Sequence, residues 1–228
     1  MIRLMKIFFD RNLFLRIFSG ILFVACFIIF IHYGGILFIL FFLLLLSLMI
    51  LEINISFKVS DKYYLNFIIN ILIVISIFHF IFLRIIYGVN IINYLYYIIA
   101  SIWIFDSFSL IGGKLIGGKK LIPKISPNKT YSGLITGFIA LLFISFITLE
   151  YNSMFDYTII FYTFCIGVFA FLGDALESYL KRKFNIKDMS NLLPGHGGIL
   201  DRMDAFIFIF FIHFIITLLN INLISLYA

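Results

Sequence analysis

The chain reads as an all-α, polytopic membrane protein of about seven transmembrane helices, with its N-terminus cytoplasmic and its C-terminus outside. Three features lead there. Of its 228 residues 64% are hydrophobic and only 12% charged, and the mean hydropathy of +1.17 excludes an ordinary soluble domain. The apolar runs approach the roughly 20 residues needed to cross a hydrocarbon core. They are continuous rather than alternating, which argues against a closed β-barrel. Finally, the basic residues are distributed with a strong bias, set out below.

The spans are expected in the following order. A basic N-terminal segment (Arg3, Lys6, Arg11, Arg16) precedes a first span at about 17–33. No small-residue cleavage site follows it, because the span ends at His32-Tyr33-Gly34-Gly35; it is therefore expected to be retained rather than removed as a signal peptide. The second span is placed at about 34–51 and, after Lys58 and Lys62, the third at about 64–83. The fourth covers about 86–105 and ends at Asp106, where a long loop begins that runs to Gly133. The fifth and sixth lie at about 133–149 and 157–176, and the seventh at about 203–220 after a second polar stretch. Cys26 and Cys165 both fall inside spans and read as small apolar residues rather than a disulfide or a metal site.

Counted over this topology, the inner segments hold the four N-terminal cations, Lys58 and Lys62, then Lys114, Lys119, Lys120, Lys124 and Lys129, and finally Lys181, Arg182, Lys183, Lys187 and Arg202. Of the 17 Lys and Arg only Arg84 is left outside, as the positive-inside rule requires. Both large polar loops then face the cytoplasm. The net charge of +6 restates this bias and favours anionic head groups and phosphates; no nucleic-acid partner is expected. Residues 1–228 are read as one integral-membrane domain, with N-terminal helices over 1–100 and a catalytic region over 101–210 that contains both loops.

Five of the eleven acidic residues and five of the seventeen Lys and Arg fall between Gly173 and Asp204. Ionisable groups beside a membrane are costly, so such a cluster marks a functional site. Asp174, Glu177, Ser178 and Lys181 are spaced i, i+3, i+4 and i+7, which places them on one face of a helix leaving the membrane. Two carboxylates, a hydroxyl and an amine on one stripe suit a magnesium–phosphate site, since hard divalent cations take oxygen ligands and share them with substrate phosphates. The plain alternative is a solvated helix end with an i,i+4 pair between Glu177 and Lys181.

Leu193-Pro194-Gly195-His196-Gly197-Gly198 cannot continue that helix. Its glycines allow close backbone approach to phosphate oxygens. Asp201-Arg202-Met203-Asp204 follows at once, and its carboxylates, one turn apart, either cap the last span or face Asp174 and Glu177 across the glycine turn. The earlier loop offers Gly112-Gly113, Gly117-Gly118, three lysines, and then Ser126-Pro127-Asn128-Lys129-Thr130. It lacks the spacing of a P-loop but supplies donors suited to phosphate. Asp106, closing a span at the inner surface, is a further candidate.

The run Ser178-x2-Lys181-Arg182-x4-Lys187-Asp188-x-Ser190-x2-Leu193-Pro194-Gly195-His196-Gly197-Gly198-x2-Asp201-Arg202-x-Asp204 resembles the signature of the phosphatidate cytidylyltransferases, or CDP-diacylglycerol synthases. Gly173-Asp174-x2-Glu177-Ser178 resembles that family's helix motif, and Asp106, Gly113, Gly117, Pro123, Lys124 and Ser126-Pro127-x-Lys129-Thr130 align with its earlier loop. The resemblance covers roughly residues 100 to 210. The chain departs from the family pattern at Ser109-Leu110, where Ala-Tyr is usual, and at Tyr131-Ser132, where Trp precedes Glu or Gln.

The resemblance implies that CTP and phosphatidate yield CDP-diacylglycerol and pyrophosphate with Mg2+, at the cytoplasmic face of the inner membrane, in a homodimer. It implies that Asp174 and Asp201 hold the metal, with Glu177 and Asp204 as further ligands. Lys181, Arg182, Lys187 and Arg202 would neutralise phosphate charge, and Gly195, Gly197 and Gly198 would wrap the triphosphate. His196 would donate to a phosphate oxygen; Ser178 and Asp188 would contact substrate; Ser126, Lys129 and Thr130 would close the site. The rivals are a CTP-dependent polyprenol kinase, another lipid cytidylyltransferase, an inactive scaffold, and a transporter. Transport fits least well, because the charge sits at the inner surface rather than at the midplane.

Overall fold

A computed structural model of the chain describes residues 11–56, 63–151, 158–186, 188–190, 192 and 197–219. Among these, seven long helices occur: α1 (Arg11–Tyr33), α2 (Gly35–Ser56), α3 (Tyr63–Tyr87), α4 (Ile92–Leu115), α5 (Tyr131–Tyr151), α6 (Thr158–Lys183) and α7 (Leu200–Leu218). Among the described residues, four stretches are long and apolar enough to cross a membrane: Gly35–Ser56, Tyr63–Leu115, Tyr131–Glu150 and Thr158–Lys183. The second of these contains both α3 and α4, joined by a 3-10 turn at Gly88–Ile91. A multi-pass helical membrane protein is the architecture these helices describe.

The long loop expected from Asp106 to Gly133 is more ordered than its composition suggests. Helix α4 continues to Leu115, and an antiparallel hairpin follows, β1 (Lys120–Ile122) with β2 (Ser126–Thr130), in which Lys120 pairs with Thr130 and Ile122 with Ser126. The reason lies in packing. Gly112 sits so close to α5 that a Cβ there would meet the Thr136 side chain at 1.9 Å. The Gly112-Gly113 pair therefore serves a close helix crossing, which sequence spacing does not distinguish from a ligand-binding loop. Thr130 then caps α5, its Oγ1 accepting the Gly133 N–H at 3.1 Å.

Inside the bundle, Phe27, Phe38, Phe42, Phe80, Phe206 and Phe210 form an aromatic core of edge-to-face and tilted ring pairs linking α1, α2, α3 and α7. Away from it, Ile36, Phe143 and Phe161 are among many large apolar side chains left exposed, as expected of surfaces that face lipid. Four buried polar groups are paired with one another: His79 Nε2 lies 2.8 Å from His213 Nδ1, and the Tyr94 hydroxyl lies 2.6 Å from both His213 Nε2 and the Tyr162 hydroxyl. This chain of contacts ties α3, α4, α6 and α7 together.

The two polar loops meet at one end of the bundle. Arg182, near the end of α6, donates to the Ile125 carbonyl in the hairpin at 3.3 Å, and Ser56, at the end of α2, donates to the Met189 carbonyl at 2.6 Å. Arg84 lies on the opposite end of α3 and is buried, its guanidinium donating to the carbonyls of Ile31 (2.9 Å) and His32 (3.1 Å) at the end of α1. Arg84 is thus a cap on helix α1.

Candidate active site

Helix α6 presents the i, i+3, i+4, i+7 stripe inward. Glu177 and Ser178 are buried, the Ser178 hydroxyl approaches Asp174 Oδ1 at 3.4 Å, and Lys181 pairs with Glu177 at 2.7 Å. The helix ends in a Schellman turn: Asn185 takes the left-handed conformation (φ 58) while Ile186 N–H donates to the Lys181 carbonyl at 2.9 Å and Asn185 N–H to that of Arg182 at 3.1 Å. Opposite this stripe, α7 brings Asp201 and Asp204. The two helices approach closely at Gly173, where a Cβ would stand 2.9 Å from Phe208 Cβ, 3.0 Å from the Asp204 carbonyl and 3.1 Å from Ala205 Cα. Glycine next to Asp174 is what allows the two acidic faces to meet.

They meet at three carboxylates. Asp174, Glu177 and Asp204 offer oxygens that all lie within 4.8 Å of one another. Glu177 Oε1 is buried with no hydrogen-bond partner among the described residues, an arrangement that burial penalises unless something binds there. Oxygen donors converging at this spacing are a fit for a hard divalent cation. Two ammonium groups flank them. Lys129 of β2 reaches Asp174 Oδ2 at 2.8 Å and lies over the Phe171 ring at 4.8 Å. Lys181 bridges Glu177 to Asp201 Oδ1, the latter at 3.0 Å.

Asp201 stands apart from the three-carboxylate group. Besides Lys181, it accepts the Met189 N–H at 3.1 Å and the Gly198 N–H at 2.8 Å on Oδ2. Burial acts to raise its pKa, but a hydrogen bond shared with Glu177, the Gly198 N–H and the Lys181 charge outweigh burial and hold it below the ordinary value of 3.8. Gly197, in a left-handed conformation (φ 85), has its Cβ position only 2.7 Å from Asp201 Oδ2. In this arrangement the glycines admit a carboxylate of the protein itself.

The other candidates are distributed around this centre. Arg202 is exposed on the first turn of α7, and Asp106 on α4 lies within electrostatic reach of Arg202, Lys129 and Asp174. Ser126 and Arg182 belong to the hairpin side of the site, and Asp188 is exposed beside Gly197. Thr130 is buried as the cap of α5. Lys187, Gly195 and His196 lie outside the described residues.

One residue at the site was not singled out from sequence. Glu52 of α2 is 2% exposed and accepts hydrogen bonds from Ser190 Oγ and from the N–H groups of Ile199 and Leu200. Its only sequence signal is an acidic residue just past the end of the second expected span.

Comparison with known proteins agrees with this chemistry. The sequence model described as the Cytidylyltransferase family matches residues 13–220. A phosphatidate cytidylyltransferase of Rickettsia bellii is 42% identical over 208 residues, covering 86% of this chain and 87% of that protein. That of Rickettsia typhi is 38% identical over 205 residues, covering 86% and 88%. A Bacillus subtilis protein of the same name is 42% identical over 131 residues, 56% of this chain and 49% of that protein. With a family match extending through nearly the whole described bundle and relatives aligned along most of their length, the chain belongs to the cytidylyltransferase family.

Proposed function

We propose that the chain transfers the cytidylyl group of CTP to phosphatidate, releasing CDP-diacylglycerol and pyrophosphate, at the cytoplasmic face of an inner membrane that it crosses about seven times. The observation that carries this reading is the convergence of Asp174, Glu177 and Asp204 beside Lys129 and Lys181, in a chain related along most of its length to proteins named for this reaction. The same relationship leads us to expect one membrane domain, with its catalytic region in residues 101–210, assembled as a homodimer.

In this reaction an anionic phosphatidate oxygen attacks the α-phosphorus of CTP. A new P–O bond forms as the bond from that phosphorus to the oxygen bridging the β-phosphorus breaks, and pyrophosphate leaves with the bridging oxygen. The nucleophile is already charged, so the side chains have to position it and offset charge rather than remove a proton. Asp174, Glu177 and Asp204, with Asp201 behind Lys181, form the set that would hold Mg2+. When bound, Mg2+ would supply charge neutralisation for the triphosphate and the departing pyrophosphate. Lys129 and Lys181, each now on a carboxylate, lie where phosphate oxygens could take over those contacts. Arg182 and Arg202 add positive charge around the entrance, and the family resemblance gives Lys187 the same task. Ser126, Thr130, Ser178 and Asp188, with Gly195, Gly197 and His196, complete the substrate-binding set, while the Gly198 N–H is held by Asp201. The acyl chains of phosphatidate stay in the bilayer while CTP arrives from water.

The test uses purified protein with phosphatidate in mixed micelles, cytidine-labelled CTP and Mg2+, beside Asp174→Asn and Asp201→Asn. Label entering lipid together with pyrophosphate release, and lost in both variants, is the expected result. Transfer of the γ-phosphoryl group to a polyprenol, with no cytidine in lipid, would make the chain a kinase instead.

A further inference from the structure

The helix start that carries Asp201 and Asp204 is not capped by its own sequence. Ile199, at the N-cap of α7, makes no side-chain cap bond, and a helix start leaves N–H groups that need partners. Those of Ile199 and Leu200 go to Glu52 on α2, at 2.8 Å to Oε1 and 2.9 Å to Oε2. Ser190 Oγ donates to Glu52 Oε1 at 2.6 Å. One turn along α2, Ser56 holds the Met189 carbonyl at 2.6 Å, and the Met189 N–H in turn donates to Asp201. Gly198 closes over this contact so tightly that a Cβ there would stand 2.9 Å from both Glu52 oxygens.

A buried carboxylate is expensive unless its hydrogen bonds are filled, and here three donors from the signature loop fill them. All three lie between Ser190 and Leu200, and the acceptor is some 140 residues earlier in the chain, since the two N–H contacts separate partners by 147 and 148 positions. The carboxylate also complements the positive end of the α7 dipole. With Asp201 taking the Gly198 N–H, the amides of residues 198 to 200 are all committed to protein carboxylates. They are therefore not the groups that cradle a triphosphate, and phosphate charge is left to the lysine and arginine side chains.

We propose that Glu52 is a positioning residue for the cytidylyl-transfer site: by capping α7 in trans it fixes the height and rotation at which Asp201 and Asp204 face Asp174 and Glu177. This inference rests on the metal reading given above. It extends the site beyond the catalytic region read from sequence, into α2. A role confined to stability would lower the unfolding temperature and the yield but leave the properties of the folded fraction unchanged. A positioning role changes the folded protein's affinity for a divalent cation and its turnover, while the Michaelis constant for CTP, set mainly by cationic side chains that Glu52 does not touch, moves less.

The experiment measures binding of Mn2+ alone to purified full-length protein in detergent by electron paramagnetic resonance, then Mg2+-dependent turnover, in wild type, Glu52→Gln, Ser190→Ala and Asp174→Asn. Glu52→Gln keeps the side-chain shape but replaces one acceptor oxygen with a donor that opposes a backbone N–H. It is expected to weaken Mn2+ binding and turnover by about 10- to 100-fold. Ser190→Ala, which leaves α2 and both backbone contacts intact, is expected to shift both in the same direction by less, and carries the test if Glu52→Gln does not fold. Wild-type Mn2+ affinity and turnover in the folded Glu52 and Ser190 variants, with Asp174→Asn deficient, would overturn the positioning role alone. Equal Mn2+ affinity in wild type and Asp174→Asn would remove the metal reading and this inference with it.

Discussion

Lys181 touches two carboxylates on two different helices, and its contact with Asp201 shows how far the acidic cluster is already balanced before any substrate arrives. Asp201 is the group whose titration follows from this. Its folded-state pKa lies below the ordinary 3.8, because its hydrogen bonds and the Lys181 charge outweigh the effect of burial. A depressed carboxylate stabilises the fold above its unfolded pKa and loses that contribution as pH falls through the folded value. Thermal unfolding of wild type and Asp201→Asn, followed across pH, should therefore differ most at neutral and mildly acidic pH. The gap should close only below about pH 4; a gap independent of pH would mean that the ionised form is not what holds the loop. The carboxylates and lysines of this site were legible in the sequence because their spacing on a helix is a local property. Which carboxylate partners which ammonium was not, since it depends on how α6 and α7 are rotated against each other. Glu52 was missed for the same reason: its three donors lie far along the chain, and one acid just past an apolar span has no local partner to announce it.

At the level of elements, the pairing of α6 with α7 decides whether the carboxylates converge. Gly173 sets that approach, and any side chain there meets backbone atoms of Asp204 and Ala205 rather than a flexible tip. Gly173→Ala is expected to cost about 1–3 kcal/mol of stability through overpacking. It should also lower turnover in the folded fraction by moving Asp174 away from Asp204. Detergent thermal melts and specific activity per folded protein measure the two effects separately; unchanged activity would show that the helix spacing has slack. Helices were the most readable part of the sequence, because continuous apolar runs leave few alternatives. Their ends were less readable: the fourth span was expected to stop at Asp106, whereas α4 continues to Leu115. The glycine pair that suggested a loop is instead the contact surface for α5. The β hairpin was likewise hidden, since its five-residue second strand, Ser126–Thr130, contains a proline and no apolar alternation.

Across the whole molecule, the hairpin, the loop after α6 and the end of α2 gather at one end, and Arg84 with the end of α1 gathers at the other. The proposed topology, read from the charge bias, puts the first end in the cytoplasm. With Cys26 and Cys165 first changed to serine, single cysteines at Lys124 and Gly88 test this directly in intact cells whose outer layers have been made permeable. A membrane-impermeant thiol reagent should modify the cysteine at position 88 and spare that at 124 until the inner membrane is opened; the reverse pattern would invert the topology. The buried network of His79, Tyr94, Tyr162 and His213 was not foreseen from the sequence, because each of its members looks like an isolated polar residue within its own span. The distribution of the acidic residues also bears on how the protein is made. Asp174, Glu177 and Lys181 are made together on one helix, with Glu177 and Lys181 able to pair at i,i+4. Asp201 and Asp204 follow only with α7, and Glu52 in α2 precedes its backbone donors by 147 and 148 positions. The site therefore exists only once α7 has packed against both α2 and α6: without that packing Glu52 has neither of its backbone donors and the three-carboxylate group is incomplete.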